Sequence, residues 1–456
     1  MGKIFNRAIS LLKKLISLFI KFDTYDIGTS YDPPASFADK LIRYFYARLY
    51  QKESFDLRKQ ILKQYFGASL LFHVKRAIRK LKLGQIPIRI VFIAQEPYTW
   101  RVMESLYRAC LTDQIFKTYV VNSEFLWQKG RDDCSAFLAK NNIEYLDGFN
   151  HKIRFDLLNP DIFVLGSPYD VYRPDHHNPA SLLRYAKIVY IPYGIDFGTK
   201  VERENKYWFG NDTQKNAWRI FSRSNKTRYI YKKYCGVSSR RIVGAGLPIL
   251  DQYASGASSS VLPEAIQSAS AGKFKILYTP HHTVDGWSTF LRYGAHIREL
   301  VEKNKDCFLF FRPHPSLIVR LIIDNLMSEN DFYNFFSGER CYLYEGDDYY
   351  GLFQRSDMLI SDASSILGEY APARKPIIYL YREDGWDLDD SIRDDILKGY
   401  YVASSEDQIT AFFLQLKNGD DPMKSERERR QENICKGILN GGAGKRIARY
   451  LRNTLA

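Results

Sequence analysis

Apolar residues follow two patterns along the chain: short continuous runs, and longer segments in which they recur every three to four residues. Short apolar runs bounded by turn-forming residues are typical of buried strands, and the wider spacing is typical of helices. Two series of strands are predicted from the runs. The first comprises Ile88–Ala94, Lys117–Asn122, Ile162–Leu165 and Ile188–Ile191, and the second comprises Lys275–Thr279, Cys307–Phe311, Cys341–Tyr344, Met358–Ser361 and Pro376–Leu380.

Helical stretches separate most of these strands, and this alternation predicts parallel, doubly wound sheets. The small-residue segment Gly256–Ser260, followed by Gly272, is typical of a hinge between the two series. We therefore predict an α/β protein of the GT-B class, in which two Rossmann-like domains face each other across a cleft. Ligands in such sheets bind at the carboxyl ends of the strands. The predicted divisions are an amphipathic helix (1–23), a helical lead-in (24–85), an acceptor-facing domain (86–255), a donor-binding domain (256–430) and a C-terminal helix (431–456).

The first 22 residues form a separate amphipathic pattern. On a helical wheel of about 100° per residue, the apolar side chains from Ile4 to Phe22 make one continuous arc. The cations on the other side are Lys3, Arg7, Lys13, Lys14 and Lys21. This pattern is typical of a helix that lies in a membrane surface with its cations on anionic headgroups. The alternative is a helix packed on the protein's own core, which the wide apolar arc at a chain end makes less favoured.

Composition narrows the classes of partner. The 456 residues include 66 Lys and Arg against 52 Asp and Glu, and the net charge of +14 predicts polyanionic partners. No nucleic-acid-binding signature is present, so phosphate-rich substrates and anionic lipid are favoured. No apolar stretch is long enough to span a bilayer, so peripheral attachment is expected. Six scattered cysteines and the loop 170–177 lack metal-ligand spacing, and neither a metal nor a cofactor is predicted.

Hydroxyl and acidic side chains follow the predicted strand Met358–Ser361. Asp362 ends this strand, and a helix is predicted to open near Ser364 and Ser365. Helix-opening N–H groups with neighbouring hydroxyls can hold a phosphate or diphosphate. Asp362 and Ser364 would also serve as ordinary helix caps. Local sequence leaves both interpretations open.

A histidine between two prolines follows the predicted strand Cys307–Phe311. In Arg312-Pro-His-Pro-Ser316, the prolines prevent helix formation and hold His314 in an extended backbone. An imidazole there can donate to a phosphoryl oxygen or transfer a proton.

These motifs, taken in order, resemble the CDP-glycerol glycerophosphotransferases, the family of teichoic-acid primases and polymerases. The resemblance covers about residues 160–415. It rests on Tyr190–Gly194, Ile242–Asp251, Thr279-Pro280, Arg312–Pro315, Ser356–Ser365 with Glu369-Tyr370, and Lys375-Pro376.

The resemblance implies metal-independent transfer of a polyol phosphate from a CDP-linked donor to a polymer or lipid-linked acceptor. It implies teichoic-acid-like or capsule biosynthesis at the cytoplasmic face of the bacterial membrane. By analogy, His314 contacts the donor diphosphate. The residues assigned to the donor phosphate site are Arg312, Asp362, Ser364, Ser365 and Glu369.

One position departs from the family pattern. The loop histidine that is the family's presumed base aligns with Tyr193. A tyrosine with a pKa near 10 is a poor general base at neutral pH. His281 and His282, after the first strand of the second domain, are the predicted substitutes, with Asp196 a weaker candidate.

Two other functions remain open, and Tyr193 bears on the second of them. One is a GT-B glycosyltransferase that uses a nucleotide sugar for capsule or O-antigen assembly. The other is a membrane-associated assembly protein that binds nucleotide without turnover.

Overall fold

The computed structural model describes residues 72–79, 86–255, 262–346, 349–385, 387–389, 397–439 and 442–455. Two groups of predicted features lie outside these residues. The first is the amphipathic helix with its cations Lys3, Arg7, Lys13, Lys14 and Lys21, together with most of the helical lead-in. The second is the hinge segment Gly256–Ser260.

The first domain is built on a parallel sheet of seven strands in the order β3-β2-β1-β4-β5-β6-β7. Every residue of the central strand β1 is buried, as is typical of a parallel sheet with both faces covered. The strands are β1 (Ile88–Ala94), β2 (Phe116–Asn122), β3 (Leu146–Asp147), β4 (Ile162–Leu165), β5 (Lys187–Tyr190), β6 (Arg219–Ser222) and β7 (Ile242–Gly244).

The second domain is built on a parallel sheet of six strands in the order β10-β9-β8-β11-β12-β13. The prediction of two successive parallel α/β sheets is confirmed. The strands are β8 (Phe274–Thr279), β9 (Cys307–Phe311), β10 (Cys341–Leu343), β11 (Met358–Ser361), β12 (Ile377–Leu380) and β13 (Tyr401–Ala403).

Helices connect the strands and cover both sheets. In the first domain they are α1 (Pro97–Leu111), α2 (Asp133–Lys140), α3 (Phe155–Leu158), α4 (Pro179–Leu182), α5 (Glu202–Phe209), α6 (Asp212–Asn216), α7 (Arg228–Cys235) and α8 (Asp251–Ser255). Those that follow are α9 (Glu264–Ser270), α10 (Phe290–Lys303), α11 (Ser316–Ile323), α12 (Glu329–Phe335), α13 (Tyr350–Arg355), α14 (Ile366–Glu369), α15 (Glu406–Lys417), α16 (Lys424–Leu439) and α17 (Ala443–Leu455).

The last helix returns to the first domain. The Asp251 carboxylate accepts hydrogen bonds from the N–H groups of Ala443 and Gly444, which open α17, and from the Ser105 hydroxyl on α1. Gly444 lies so close to Ser105 that a Cβ at Gly444 would be 2.3 Å from the Ser105 carbonyl carbon. The helix α17 thus packs on the first domain, and the predicted boundary at residue 430 lies within α16.

Two further properties concern the described residues alone. None of their helices combines the length and the apolarity needed to cross a bilayer. Cys110, Cys134, Cys235, Cys307 and Cys341 are free thiols, and all but Cys341 are buried.

Candidate active site

Three histidines meet at the carboxyl edge of the second sheet. His281 and His282 follow β8, and His314 follows β9, the strand paired directly with β8. Neighbouring parallel strands deliver their following loops to one edge, so the rings lie close together. The His282 and His314 ring centroids are 4.1 Å apart, those of His281 and His282 4.3 Å, and those of His281 and His314 5.7 Å. The predicted donor histidine and the predicted substitute bases therefore form one cluster, the histidine cluster.

Backbone N–H groups fix the protonation of two of these rings. Nδ1 of His281 accepts from the Thr283 N–H at 3.1 Å, and Nδ1 of His314 accepts from the Ser316 N–H at 3.1 Å. A nitrogen that accepts such a bond carries no proton, so each neutral ring carries its proton on Nε2. His281 and His314 therefore offer Nε2–H donors. Nδ1 of His282 is buried and has no hydrogen-bond partner among the described residues.

The cluster is neutral at physiological pH. Burial holds the pKa values of His281 and His314 well below the usual range, and neighbouring rings lower them further. Burial, with a smaller effect from the Arg320 charge, lowers the pKa of His282 to about 4. Neutral imidazoles can donate to a phosphate oxygen, and the ring with an uncommitted nitrogen can accept a proton.

Arg312 supplies the cation beside the cluster. Its guanidinium carbon lies 4.0 Å from the centre of the Tyr349 ring, a cation–π distance. Its backbone N–H donates to the Tyr278 carbonyl at 2.9 Å, which anchors the loop to β8. The charge of Arg312 contributes to the lowered pKa of His314, so the two side chains share one electrostatic environment.

Asp362 supports the histidine loop from behind. The side chain is fully buried and accepts from the N–H groups of His281 and Thr289, each at 2.8 Å, and from the Thr289 hydroxyl at 3.3 Å. Burial outweighs these bonds and raises the pKa of Asp362 to about 7. The Asp362 carboxylate thus bonds to backbone N–H groups, and these bonds hold the loop that carries His281 in place.

The hydroxyl turn lies at the boundary with the first domain. Ser365 precedes α14 but its side chain makes no capping bond, and the Ser364 hydroxyl lies 3.3 Å from that of Ser361. Ser365 therefore does not act as a side-chain cap of α14. The phosphate site predicted at the start of this helix is also weaker than expected. The reason is that α14 has only four residues, and a single turn has a small dipole. A Cβ at Gly194 in the first domain would lie 3.5 Å from the Ser365 Cβ.

Glu369 joins both domains through tyrosines that the sequence motifs did not single out. Its fully buried carboxylate accepts from Tyr349 at 2.7 Å, Tyr350 at 3.0 Å and Tyr98 at 3.3 Å. Tyr98 belongs to α1 of the first domain, and Tyr349 is the ring beneath Arg312. Glu369 therefore holds in position Tyr349, the ring that the Arg312 guanidinium contacts. In the sequence, the available signal for these tyrosines was the adjacent pair Tyr349-Tyr350, which precedes the motif that begins at Ser356.

Tyr193 lies on the first-domain side. Its hydroxyl accepts from the Tyr169 hydroxyl at 3.1 Å, and burial raises its pKa above the usual value for tyrosine. The phenol therefore stays protonated at neutral pH, and proton abstraction by Tyr193 is disfavoured. Asp196 is buried with its Oδ1 3.3 Å from Nε of Arg223, and burial raises its pKa to about 6.

Metal ligation is not built into the described part of the chain. No group of three or more His, Cys, Asp or Glu side chains there is arranged to hold a metal ion. His177, from the acidic and histidine-containing loop 170–177, is instead fully buried, with Nδ1 2.7 Å from the Ser123 hydroxyl.

Comparison with known proteins identifies the family. A sequence model of the family described as CDP-glycerol:poly(glycerophosphate) glycerophosphotransferase matches residues 197–453, more than half of the chain. The chain belongs to this family. It is therefore a transferase, and the resemblance inferred from the ordered motifs is confirmed. Comparison with curated proteins gave no match.

Solved structures establish the fold independently. MnaA of S. aureus, in a co-structure with UDP, is 15% identical with a TM-score of 0.56, over 81% of this chain and 97% of that chain. The UDP-GlcNAc 2-epimerase of Neisseria meningitidis, bound to UDP-GlcNAc, is 16% identical with a TM-score of 0.56, over 80% and 99%. A variant of the wall teichoic acid polymerase TagF, soaked with CDPG, is 14% identical with a TM-score of 0.51, over 89% and 98%. At these identities the likeness shows a shared GT-B fold, as predicted.

Proposed function

We propose that this glycerophosphotransferase moves glycerol phosphate from CDP-glycerol to a polymer or lipid-linked acceptor in teichoic-acid-like or capsule assembly. One observation carries the proposal: the neutral histidine cluster, Arg312 and the Ser364–Ser365 hydroxyls lie at the carboxyl ends of neighbouring strands. Ligands of doubly wound sheets bind at that edge, and phosphoryl transfer depends mainly on positioned donors and cations.

On the donor side, His281 and His314 present Nε2–H groups and Arg312 presents a fixed positive charge. An acceptor hydroxyl attacks the phosphorus that carries glycerol, the bond to the bridging diphosphate oxygen breaks, and cytidine monophosphate leaves. Donors already in place stabilise the charge that develops on the leaving phosphate without reorganising. Neutral imidazoles also avoid the cost of burying three like charges before the donor binds.

On the acceptor side, we assign proton removal to His282. Among the described residues, Nδ1 of His282 has no hydrogen-bond partner, whereas Nδ1 of His281 and Nδ1 of His314 each accept from a backbone N–H. The His282 pKa of about 4 keeps this ring unprotonated at neutral pH, as a base must be. Tyr193 has the opposite property, because its raised pKa keeps the hydroxyl protonated.

Nucleotide release tests the reaction. The full-length enzyme is incubated with CDP-glycerol and a poly(glycerophosphate) acceptor, and in parallel with a panel of UDP-sugars. We expect cytidine monophosphate from the first mixture and no UDP from the second. UDP release would assign the chain to sugar transfer, and CDP-glycerol binding without turnover would assign it to a scaffold.

Attachment to an anionic membrane surface at the cytoplasmic face is part of the proposal. It is supported by the net charge of +14 and by the apolar arc with five cations in residues 1–22. Deletion of residues 1–22 is expected to release the enzyme from anionic vesicles while CDP-glycerol turnover persists. Equal vesicle binding by both forms at low and moderate salt would exclude this segment as the anchor.

A further inference from the structure

The first-domain side of the cleft carries a continuous row of aromatic rings. Trp127 follows β2, Tyr169 and Tyr172 follow β4, Tyr193 follows β5, and Tyr207 lies on α5. These five residues are called the aromatic track. Because three of the four segments are loops at the carboxyl ends of parallel strands, the track lies on the ligand-binding edge of this sheet.

Ring-to-ring distances show that the track is continuous. The centroids of Trp127 and Tyr172 are 5.3 Å apart, those of Tyr172 and Tyr169 5.9 Å, and those of Tyr169 and Tyr193 5.5 Å. Tyr207 stacks on Tyr169 at 5.3 Å with an interplanar angle of 26°. The row therefore runs without a gap from Trp127 to the loop beside Ser365.

The track is amphipathic and open at its outer end. The Tyr169 hydroxyl donates to that of Tyr193, and the hydroxyls of Tyr172 and Tyr207 are 3.2 Å apart. Trp127 is 61% exposed and Tyr207 45% exposed, so neither ring is explained by burial in the core. A ligand can thus meet flat apolar faces and exchangeable hydroxyl groups together.

A rigid support holds the track in place. Arg173 is fully buried and donates to the Asp170 carboxylate, the Thr213 hydroxyl and the Ser167 carbonyl at 2.8 to 3.0 Å. These bonds fix the loop that carries Tyr169 and Tyr172. A surface already held in one arrangement loses less side-chain freedom when a ligand binds.

The track meets the proposed reaction site from two directions. Tyr193 lies 6.0 Å from Tyr98, whose hydroxyl donates to Glu369. Trp208, the residue after Tyr207, lies 5.9 Å from Trp287, and Trp287 lies 6.2 Å from His281. Ring contacts therefore connect the track to Glu369 through Tyr98, and the neighbouring Trp208 to His281 through Trp287.

We infer that the aromatic track binds sugar rings of the acceptor and directs its terminal hydroxyl toward the histidine cluster. This inference rests on the proposed function, since it names the acceptor groups that bind the first-domain wall, opposite the proposed donor site. A pyranose ring has a flat C–H face that packs on an aromatic ring and hydroxyls at its edge that bond to tyrosines. An acyclic glycerol phosphate chain has no such face.

Equilibrium binding of a soluble disaccharide of pyranose sugars to the full-length enzyme tests the inference, with a glycerol phosphate oligomer as the second probe. Trp127→Ala and Tyr207→Ala are expected to weaken disaccharide binding about three- to tenfold each, the loss of one aromatic contact. Trp127→Phe is expected to retain most of the affinity. The matched control is Tyr333→Ala, a 39% exposed tyrosine on α12 of the second domain, which is expected to bind as wild type.

Acceptor-independent hydrolysis of CDP-glycerol is measured on the same preparations. Unchanged hydrolysis with weakened disaccharide binding in both track variants supports the inference. No saturable disaccharide binding by the wild type, or equal binding by all variants, overturns it. Binding of the glycerol phosphate oligomer alone, with dependence on Trp127, also overturns it in favour of a polyol occupant. Absence of CDP-glycerol hydrolysis in the wild type rejects the donor reaction instead, and the disaccharide result is then judged separately.

Discussion

The two walls of the cleft are built from different chemical groups. The second-domain wall presents three imidazoles, a guanidinium and two serine hydroxyls, all on turns that directly follow strands. The first-domain wall presents tyrosines and a tryptophan, and its predicted catalytic position, Tyr193, has a raised pKa. Under the proposed function, this difference places the phosphate chemistry on the second-domain wall. The opposite wall has the groups of a recognition surface.

The walls are also coupled. Glu369 accepts hydrogen bonds from Tyr98 of the first domain and from Tyr349, which supports Arg312. Residues 199 and 388 form an antiparallel bridge between the domains on another side. The first-domain wall is therefore held in register with the second-domain wall, as the proposed transfer between them requires.

The largest effect is expected at His314. His314→Ala removes an Nε2–H donor beside Arg312, so glycerol phosphate transfer and slow CDP-glycerol hydrolysis should both fall by about 10²–10⁴-fold. The matched control is His296→Ala, because His296 lies on α10 and bonds to Thr410 away from the cleft. Steady-state rates measure both. Full activity in His314→Ala would contradict the placement of the phosphate chemistry on the second-domain wall.

His282→Ala is expected to separate the two half-reactions. Acceptor-dependent transfer should fall by about 10²-fold, because the proton acceptor is lost, while donor binding and hydrolysis persist. His281→Ala should instead weaken donor binding, because its Nε2–H is lost. Calorimetric donor titration with rate measurement distinguishes these results. Wild-type transfer by His282→Ala would remove it as the base.

A smaller effect is expected from the hydroxyl turn. Ser364→Ala combined with Ser365→Ala should weaken CDP-glycerol binding about tenfold, the loss of roughly one charge-assisted hydrogen bond, with little change in Tm. Ser405→Ala is the control, because its side chain accepts from the Gln408 N–H at 3.3 Å and caps α15. That control should lose about 1 kcal/mol of stability without losing donor affinity. The reverse pattern would make Ser364 and Ser365 structural.

Tyr193→Phe is expected to have the smallest effect, within about threefold of wild-type turnover, because the change deletes a hydroxyl that stays protonated. Rates at saturating donor and acceptor measure it. A loss of 10²-fold or more would make Tyr193 the base and move catalysis to the first-domain wall.

Sequence patterns predicted the strands well where both faces are buried. Ile88–Ala94, Ile162–Leu165, Cys307–Phe311 and Met358–Ser361 occur with the predicted bounds, since continuous apolar runs leave little ambiguity. Strand β6 was missed because Arg219 and Ser222 flank only two apolar residues. Strand β3 was missed because its two residues are too few to show an alternating or continuous apolar pattern.

The site was less accessible to sequence reasoning. Strand order explains why His281, His282 and His314 meet, because β8 and β9 pair, and this could be anticipated from their positions after strands. The bonds from the Thr283 and Ser316 N–H groups depend on local backbone geometry that no motif encodes. The tyrosines on Glu369 come from two segments far apart in the sequence, Tyr98 on one and Tyr349-Tyr350 on the other, so only the folded chain shows them together.

Acceptor-independent hydrolysis of CDP-glycerol, compared side by side in His314→Ala and Tyr193→Phe, tests the division between the walls most directly. The account predicts that Tyr193→Phe hydrolyses the donor at nearly the wild-type rate and that His314→Ala loses about 10²-fold or more. Loss of hydrolysis in Tyr193→Phe with retention in His314→Ala would contradict it.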